Sequence, residues 1–214
     1  MRAPSVPARV AGIAAAEFDL LNARADEMRA GGRHVISLGQ ALPPFGPPAS
    51  ALDAAREALA NPDAHVYSAD AGLPSLREAI GERVGVAADE IIVTAGANQA
   101  FMLALMTLVD PGDEVLLPAP YFVNHDMAVR AIGAVPVEVP LDASRGFPLE
   151  WPRVEPFVTD RTRAVVVCTP SNPTGAVAGA QELARIAREL ASRGILLLAD
   201  QTYDRFVYDA EFAS

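Results

Sequence analysis

The sequence has no lysine, a single cysteine and no long apolar run. All 17 basic residues are arginines, so no side-chain amine is present that could form an imine with an aldehyde. One cysteine cannot form an internal disulfide, which favours a reducing compartment. No stretch approaches the roughly 18 apolar residues that a membrane-spanning helix needs. These absences predict a cytoplasmic protein that is not inserted in a membrane.

Basic residues are also outnumbered by acidic ones. The chain carries 27 acidic and 17 basic residues, a formal net charge of −10. A nucleic-acid groove requires a basic face, so this balance argues against a nucleic-acid partner. The three histidines, His34, His65 and His125, have no metal-ligand spacing, and we interpret all three as structural or surface residues.

What the sequence does contain is an alternation of apolar strands and helices from Glu90 to Tyr208. This alternation predicts an α/β fold with a mostly parallel sheet, right-handed crossovers and helices on both faces. Residues 1–12 are expected to form an unstructured arm, and residues 142–156 are expected to be loop-like. The predicted strands are 35–38, 91–94, 114–117, 135–139, 164–167 and 195–199. The predicted helices are 13–30, 50–60, 75–83, 99–106, 121–133 and 181–193.

The segment from Cys168 to Tyr203 is the most informative part of the chain. Two strands without outward polar residues, 164–167 and 195–199, are typical of a sheet buried on both faces. Each ends in polar residues: a loop containing Asn172 follows the first, and Asp200 and Tyr203 follow the second. Ligands of open α/β sheets bind at the carboxyl ends of the strands. We therefore expect these three side chains to form one site.

A second candidate site lies where the strand 91–94 turns into a helix. The turn contains Gly96, Ala97 and Asn98, and the following helix is apolar on all sides, which predicts that it is buried. A helix N-terminus exposes backbone N–H groups and the positive end of the helix dipole. The three turn residues are therefore candidates for binding a phosphate.

Two motifs within this pattern resemble a known family. Ser171-Asn172-Pro173-Thr174-Gly175, followed by Asp200-Gln201-Thr202-Tyr203, resembles the class I/II aminotransferases, which are fold-type I enzymes dependent on pyridoxal 5′-phosphate (PLP). The resemblance runs from about Arg9 to the last residue. It implies the large-domain fold of these enzymes, transfer of an amino group between an amino acid and a 2-oxo acid, and a homodimer at full length.

The resemblance also implies roles for individual residues. Asp200 would hold the proton on the ring nitrogen of PLP, and Asn172 and Tyr203 would hydrogen-bond its phenolic oxygen. Phe122 would stack on the ring, with Tyr121 as the alternative, although both could instead be core aromatics. The phosphate would be held by Gly96, Ala97 and Asn98.

Two further residues have roles that rest on the resemblance alone. Tyr67 matches a family tyrosine that reaches the cofactor phosphate of the neighbouring subunit, although it could simply pack at a domain edge. Ala41 stands where the family usually has glycine close to the substrate. A linker between the small-domain portion and the large domain is the other interpretation of that segment.

Members of this family are roughly twice as long, and their PLP-binding lysine would lie beyond Asp200. We therefore predict an N-terminal arm and partial small domain at 1–45, and a PLP-binding large domain at 46–214 that is incomplete and stops before the lysine. The strand that ends at Asp200 would then have an exposed edge. No catalytic residue is assigned, and the chain alone is predicted to be inactive.

Other functions remain open on the sequence. The motifs bind the cofactor rather than the substrate, so a PLP-dependent carbon–sulfur or related lyase is an alternative. A non-catalytic binding or assembly fragment is another, favoured by the absence of lysine. A nicotinamide-binding Rossmann protein is a weaker alternative, because no Gly-x-Gly-x-x-Gly follows a strand.

Overall fold

The computed structural model describes residues 5–13, 17–39, 43, 45–209 and 211–213. They form two compact units, one of Leu21–Ala95 and one that combines Met1–Leu20 with Gly96–Ser214. The sequence-based division at residues 45 and 46 stays a prediction. The helices are α1 (Ala8–Ala11), α2 (Glu17–Ala30), α3 (Ala49–Leu59), α4 (Pro74–Val84), α5 (Ala97–Leu108), α6 (Val123–Ala131), α7 (Trp151–Val154) and α8 (Ala180–Ser192).

The larger unit is built on a parallel sheet. Its four strands are β1 (Glu114–Ala119), β2 (Val135–Pro140), β3 (Thr162–Cys168) and β4 (Leu196–Asp200). They are ordered β2-β1-β3-β4, and every neighbouring pair is parallel. The predicted α/β fold with a mostly parallel sheet is therefore confirmed.

Both faces of the sheet are covered by helices. On one face, Leu105 of α5 and Val129 of α6 pack against alternate residues of β1 and β3. On the other face, Ile186 and Leu190 of α8 pack with Trp151 of α7 against the intervening residues. Because successive side chains of a strand point to opposite faces, apolar strands such as β3 supply both cores.

The strand β4 is less well covered than β3. Residues Ala164–Val167 of β3 are almost completely buried, whereas every residue of β4 keeps measurable exposure. Within the described residues, β4 pairs only with β3. The predicted exposed edge at this strand is therefore observed in this part of the chain.

The structure corrects several local predictions. Residues 35–38 and 91–94, all of them described, do not form strands. In the second segment the N–H of Val93 donates to the carbonyl oxygen of Ala71 (2.9 Å), but one such bond does not make a ladder. Residues 1–12 were expected to be unstructured, yet α1 forms at Ala8–Ala11, where the carbonyl of Pro7 accepts from the first helical turn.

Two further predictions were wrong about helices. The α5 helix is not buried on all sides, because Leu103 is 43% exposed and Met106 is 65% exposed, and only the face carrying Leu105 packs on the sheet. The segment 142–156 is not all loop, since it contains α7. The backbone N–H of Trp151, the first residue of α7, donates to the carboxylate of Glu182 at 3.1 Å, and its side chain is buried in the core.

Candidate functional site

The centre of the candidate site is a hydrogen-bonded pair, Asp200 and His125. Asp200 is the last residue of β4, and His125 lies in the first turns of α6, where it is only 2% exposed. Because an ionised carboxylate can only accept, Nε2 of His125 donates to Oδ2 of Asp200 across 3.0 Å. Thr202 donates to the other oxygen through its backbone N–H (3.1 Å) and its hydroxyl (2.7 Å).

These bonds determine the charge of Asp200. The hydrogen bond from His125 is the largest cause that lowers the pKa of Asp200, from 3.8 to about 2. Burial opposes this shift, and the two bonds from Thr202 reinforce it. Asp200 is therefore a carboxylate at neutral pH, held in a fixed orientation by donors on both oxygens.

His125 was interpreted from the sequence as a structural or surface residue, without a role at the site. The residue is buried, but it is also the main hydrogen-bond partner of Asp200. One signal in the sequence points to it: the histidine follows Phe122 by one helical turn at the carboxyl end of an apolar strand. In a parallel sheet, that position faces the same edge as Asp200.

The loop that carries Asn172 begins beside Asp200. Cys168 of β3 is in register with Asp200 of β4, and the N–H of Thr169 donates to the Asp200 carbonyl oxygen at 3.0 Å. The loop is closed by backbone bonds between Ser171 and residues 175–176, and both of its X-Pro bonds are cis. Asn172 is half-buried within it. The strand register thus brings this predicted residue to the end of the sheet where Asp200 lies.

Tyr203 lies in the turn that leaves β4, directly after the residue that caps Asp200. Its ring is half-buried and packs edge-on against Phe206, with centroids 6.0 Å apart. The N–H of Phe206 donates to the carbonyl oxygen of Tyr203 at 2.8 Å, which closes this turn. Tyr203 thus lies in a closed turn, three residues after Asp200.

The two adjacent aromatic candidates have different surroundings. Phe122 is the N-cap residue of α6, and its ring meets His125 edge-on at 5.6 Å. Tyr121 instead packs against the core cluster that contains Leu117 and Val129. Of these two candidates, Phe122 is therefore the one whose ring contacts His125.

The first turns of α5 and the end of β4 line one cavity. Gly96 is its N-cap residue, with a positive φ of 82°. A cavity of about 350 Å³ is lined both by Ala97 and Phe101 of α5 and by Asp200 and Thr202. Gly96 and Asn98 are exposed. Of the three residues predicted to bind a phosphate, Ala97 thus lines the same cavity as Asp200, and Gly96 and Asn98 are its neighbours in the chain.

Two predicted residues lie outside the described part of the unit that contains Asp200. Tyr67 belongs to the unit Leu21–Ala95, where its side chain is fully exposed. Ala41 lies outside the described residues. Both of their predicted roles stay predictions.

The described residues contain neither a candidate metal cluster nor a candidate membrane span. No group of three or more His, Cys, Asp or Glu side chains in this part of the chain could hold a metal ion. None of the described helices is long and apolar enough to cross a bilayer.

The fold and site define an α/β protein with a carboxylate, an aromatic ring and a helix N-terminus at the carboxyl ends of parallel strands. Comparison with known proteins identifies its family. Residues 33–214 match the family model "Aminotransferase class I and II", and the chain belongs to that family.

Relatives and solved structures agree with this assignment. The chain is 43% identical over 201 residues to a protein of Aquifex aeolicus described as "Probable aspartate/prephenate aminotransferase", covering 91% of this chain and 51% of that protein. It is 38% identical to an aspartate aminotransferase of Streptomyces avermitilis, covering 98% and 53%.

The structure of the Thermus thermophilus aspartate aminotransferase with maleate superposes with a TM-score of 0.93 at 36% identity, covering 100% of this chain and 57% of the other. The chain thus spans about half the length of these relatives.

Proposed function

We propose that this chain is the PLP-binding part of an aminotransferase that transfers an amino group between an amino acid and a 2-oxo acid. The observation that carries the proposal is the Asp200 carboxylate, kept ionised by His125, which lines a cavity shared with the start of α5. When bound, PLP supplies an electron-accepting ring that stabilises the charge left when a bond to Cα breaks. That ring works as an electron acceptor while its nitrogen is protonated, and a buried carboxylate stabilises that proton.

Asp200 would accept the hydrogen bond of the ring nitrogen. Its pKa of about 2 keeps it from taking the proton itself near neutral pH. His125 is a positioning residue in this proposal, because it reaches the cofactor only through Asp200. A second donor set on Thr202 prevents the carboxylate from rotating away.

Other residues predicted for the site would orient the cofactor. Asn172 and Tyr203 would donate hydrogen bonds to the phenolic oxygen, which stabilises its anionic form. Phe122 would cover one face of the ring. The phosphate would be bound by the α5 N-terminus at Gly96, Ala97 and Asn98, with Tyr67 contributing to the site of a neighbouring subunit and Ala41 close to the substrate.

The amine that forms the covalent link to PLP is not among these 214 residues, since the sequence has no lysine. We therefore expect this chain to bind PLP reversibly and to catalyse no transamination by itself. A homodimeric, cytoplasmic aminotransferase at full length belongs to the same proposal. A non-catalytic binding or assembly fragment is the second candidate, and the absence of lysine is the observation that favours it.

A titration of the purified chain with PLP tests the proposal. We expect saturable binding, followed by the change in cofactor absorbance and by equilibrium dialysis. The Asp200→Asn variant should weaken binding by about tenfold or more, because each 1.4 kcal/mol of lost binding energy is a factor of ten.

The matched control is Asp160→Asn, which makes the same change at an exposed aspartate. Equal affinity of the two variants for PLP would show that Asp200 does not contribute to the cofactor site. Formation of a new amino acid from a donor and a 2-oxo acid by the pure chain would contradict the predicted inactivity, but not the cofactor site.

A further inference from the structure

A second cavity has a volume of about 270 Å³. Its walls come from the ends of β1 and β3, the start of α6, the segment 141–149 and the loop 171–178. The two cavities share no lining residue among those described. His125 lines the second cavity and donates to Asp200, which lines the first. We call this second space the His125 cavity.

The walls of the His125 cavity carry little net charge. Arg145 is the one wall residue with a permanent charge, and its guanidinium donates two hydrogen bonds to Glu150, each 2.8 Å long. Burial raises the pKa of Tyr121, and the nearby Asp126 and Glu138 raise it further. Burial also raises the pKa of Cys168 to about 11. The phenol and the thiol are both neutral at physiological pH, so the cavity offers no uncompensated charge to an ion.

Most of the remaining lining residues have apolar side chains, and several lining residues carry flat rings. Tyr121, Phe147 and His125 contribute rings, and valine, leucine and proline side chains fill most of the rest. Ser171 and Thr174, which carry hydroxyl groups, are also among the lining residues, so part of the wall is polar. Apolar walls with a small number of polar groups are typical of small-molecule sites. A cavity of roughly 150 Å³ is already enough to bind benzene.

We propose that the His125 cavity binds a small neutral aromatic molecule of one or two fused rings, with at most one hydroxyl or N–H group. The occupant would contact His125 from the cavity side while the imidazole keeps its bond to Asp200. Binding would thus place a ligand one side chain away from the candidate cofactor cavity. This inference rests on the cavity itself and not on the proposed function.

The test uses phenol and indole as probes of the 214-residue chain without PLP. Saturation-transfer NMR should detect both probes on the protein, and their addition should raise the midpoint of thermal unfolding in a concentration-dependent way. Ala178→Leu fills the cavity and should weaken binding by about tenfold or more. Ala184→Leu, the same change at an exposed position of α8, is the matched control and should bind like the wild type.

A second filling variant, Ala176→Leu, covers the case in which Ala178→Leu does not fold. Circular dichroism identifies which variants are folded. Absence of binding by the wild-type chain, or equal binding by the filled and control variants, would overturn the proposal.

Displacement of phenol by PLP would also overturn it, because the two ligands would then share one cavity. The test is independent of the cofactor site: phenol can bind whether or not PLP does, so failure of one proposal is not failure of the other.

Discussion

Nε2 of His125 lies 3.0 Å from Oδ2 of Asp200, although the two residues are 75 positions apart in the chain. The contact exists because α6 follows β1, and β1 is separated from β4 only by β3. Two rings, those of Phe101 and Phe122, lie against the imidazole at centroid distances of 4.6 and 5.6 Å. The histidine is therefore held by packing on its sides and by a charge-assisted hydrogen bond at its tip.

His125→Phe removes this bond while keeping a ring of similar size. We expect the pKa of Asp200 to rise, and the free energy of unfolding at neutral pH to fall by about 2 kcal/mol, the usual size of a hydrogen bond to a charged group. Carbon NMR of the Asp200 carboxyl group measures the first effect and chemical denaturation the second. His34→Phe, at an exposed position, is the control. An unchanged pKa of Asp200 in His125→Phe would refute the role of the histidine.

The low pKa of Asp200 also predicts how stability depends on pH. Its pKa falls from an ordinary 3.8 to about 2 in the folded chain, so folding favours the ionised form. The resulting stabilisation is fully present above about pH 4 and is lost as the pH falls from about 4 to about 2. Thermal unfolding of wild type and Asp200→Asn across this range is the measurement. The wild type should lose stability more steeply, and parallel curves would contradict the shift.

The sequence predicted correctly the features that the composition of a single segment determines. The run 164–167 has β-branched residues with no polar face, and it forms the buried strand β3. Because parallel strands end at one edge, the predicted grouping of Asp200 with the loop of Asn172 followed from the strand ends alone. The register between Cys168 and Asp200 agrees with that grouping.

The features that were missed depend on how segments are arranged. His125 becomes a partner of Asp200 only through the order of the strands, which no local pattern contains. The burial of α5 depends on what covers its outer face, and an apolar composition does not show that. The segment 91–94 has the composition of a strand, but a strand also needs a ladder partner along its edge.

Because α5 is buried on one face only, leucine substitutions on its two faces should change the stability of the chain by different amounts. Leu105 is completely buried against the sheet, whereas Leu103 is 43% exposed. Leu105→Ala should lower the free energy of unfolding by roughly 2–5 kcal/mol, because it removes buried methyl groups and leaves a cavity. Leu103→Ala makes the same chemical change and should cost much less. Urea titrations of both variants measure the free energy of unfolding. Equal decreases would show that the outer face of α5 is also covered.

Cys168 allows a chemical test of the site's surroundings. It is the only cysteine in the chain, so every labelling signal reports on one thiol. Burial raises the pKa of Cys168 from 9.0 to about 11, which lowers its thiolate fraction near neutral pH by about a hundredfold. Labelling of the native chain by a thiol reagent should therefore be at least that much slower than labelling in denaturant, and should accelerate with rising pH. Equal labelling rates in the native and denatured chains would mean that Cys168 is not buried and that its pKa is not raised.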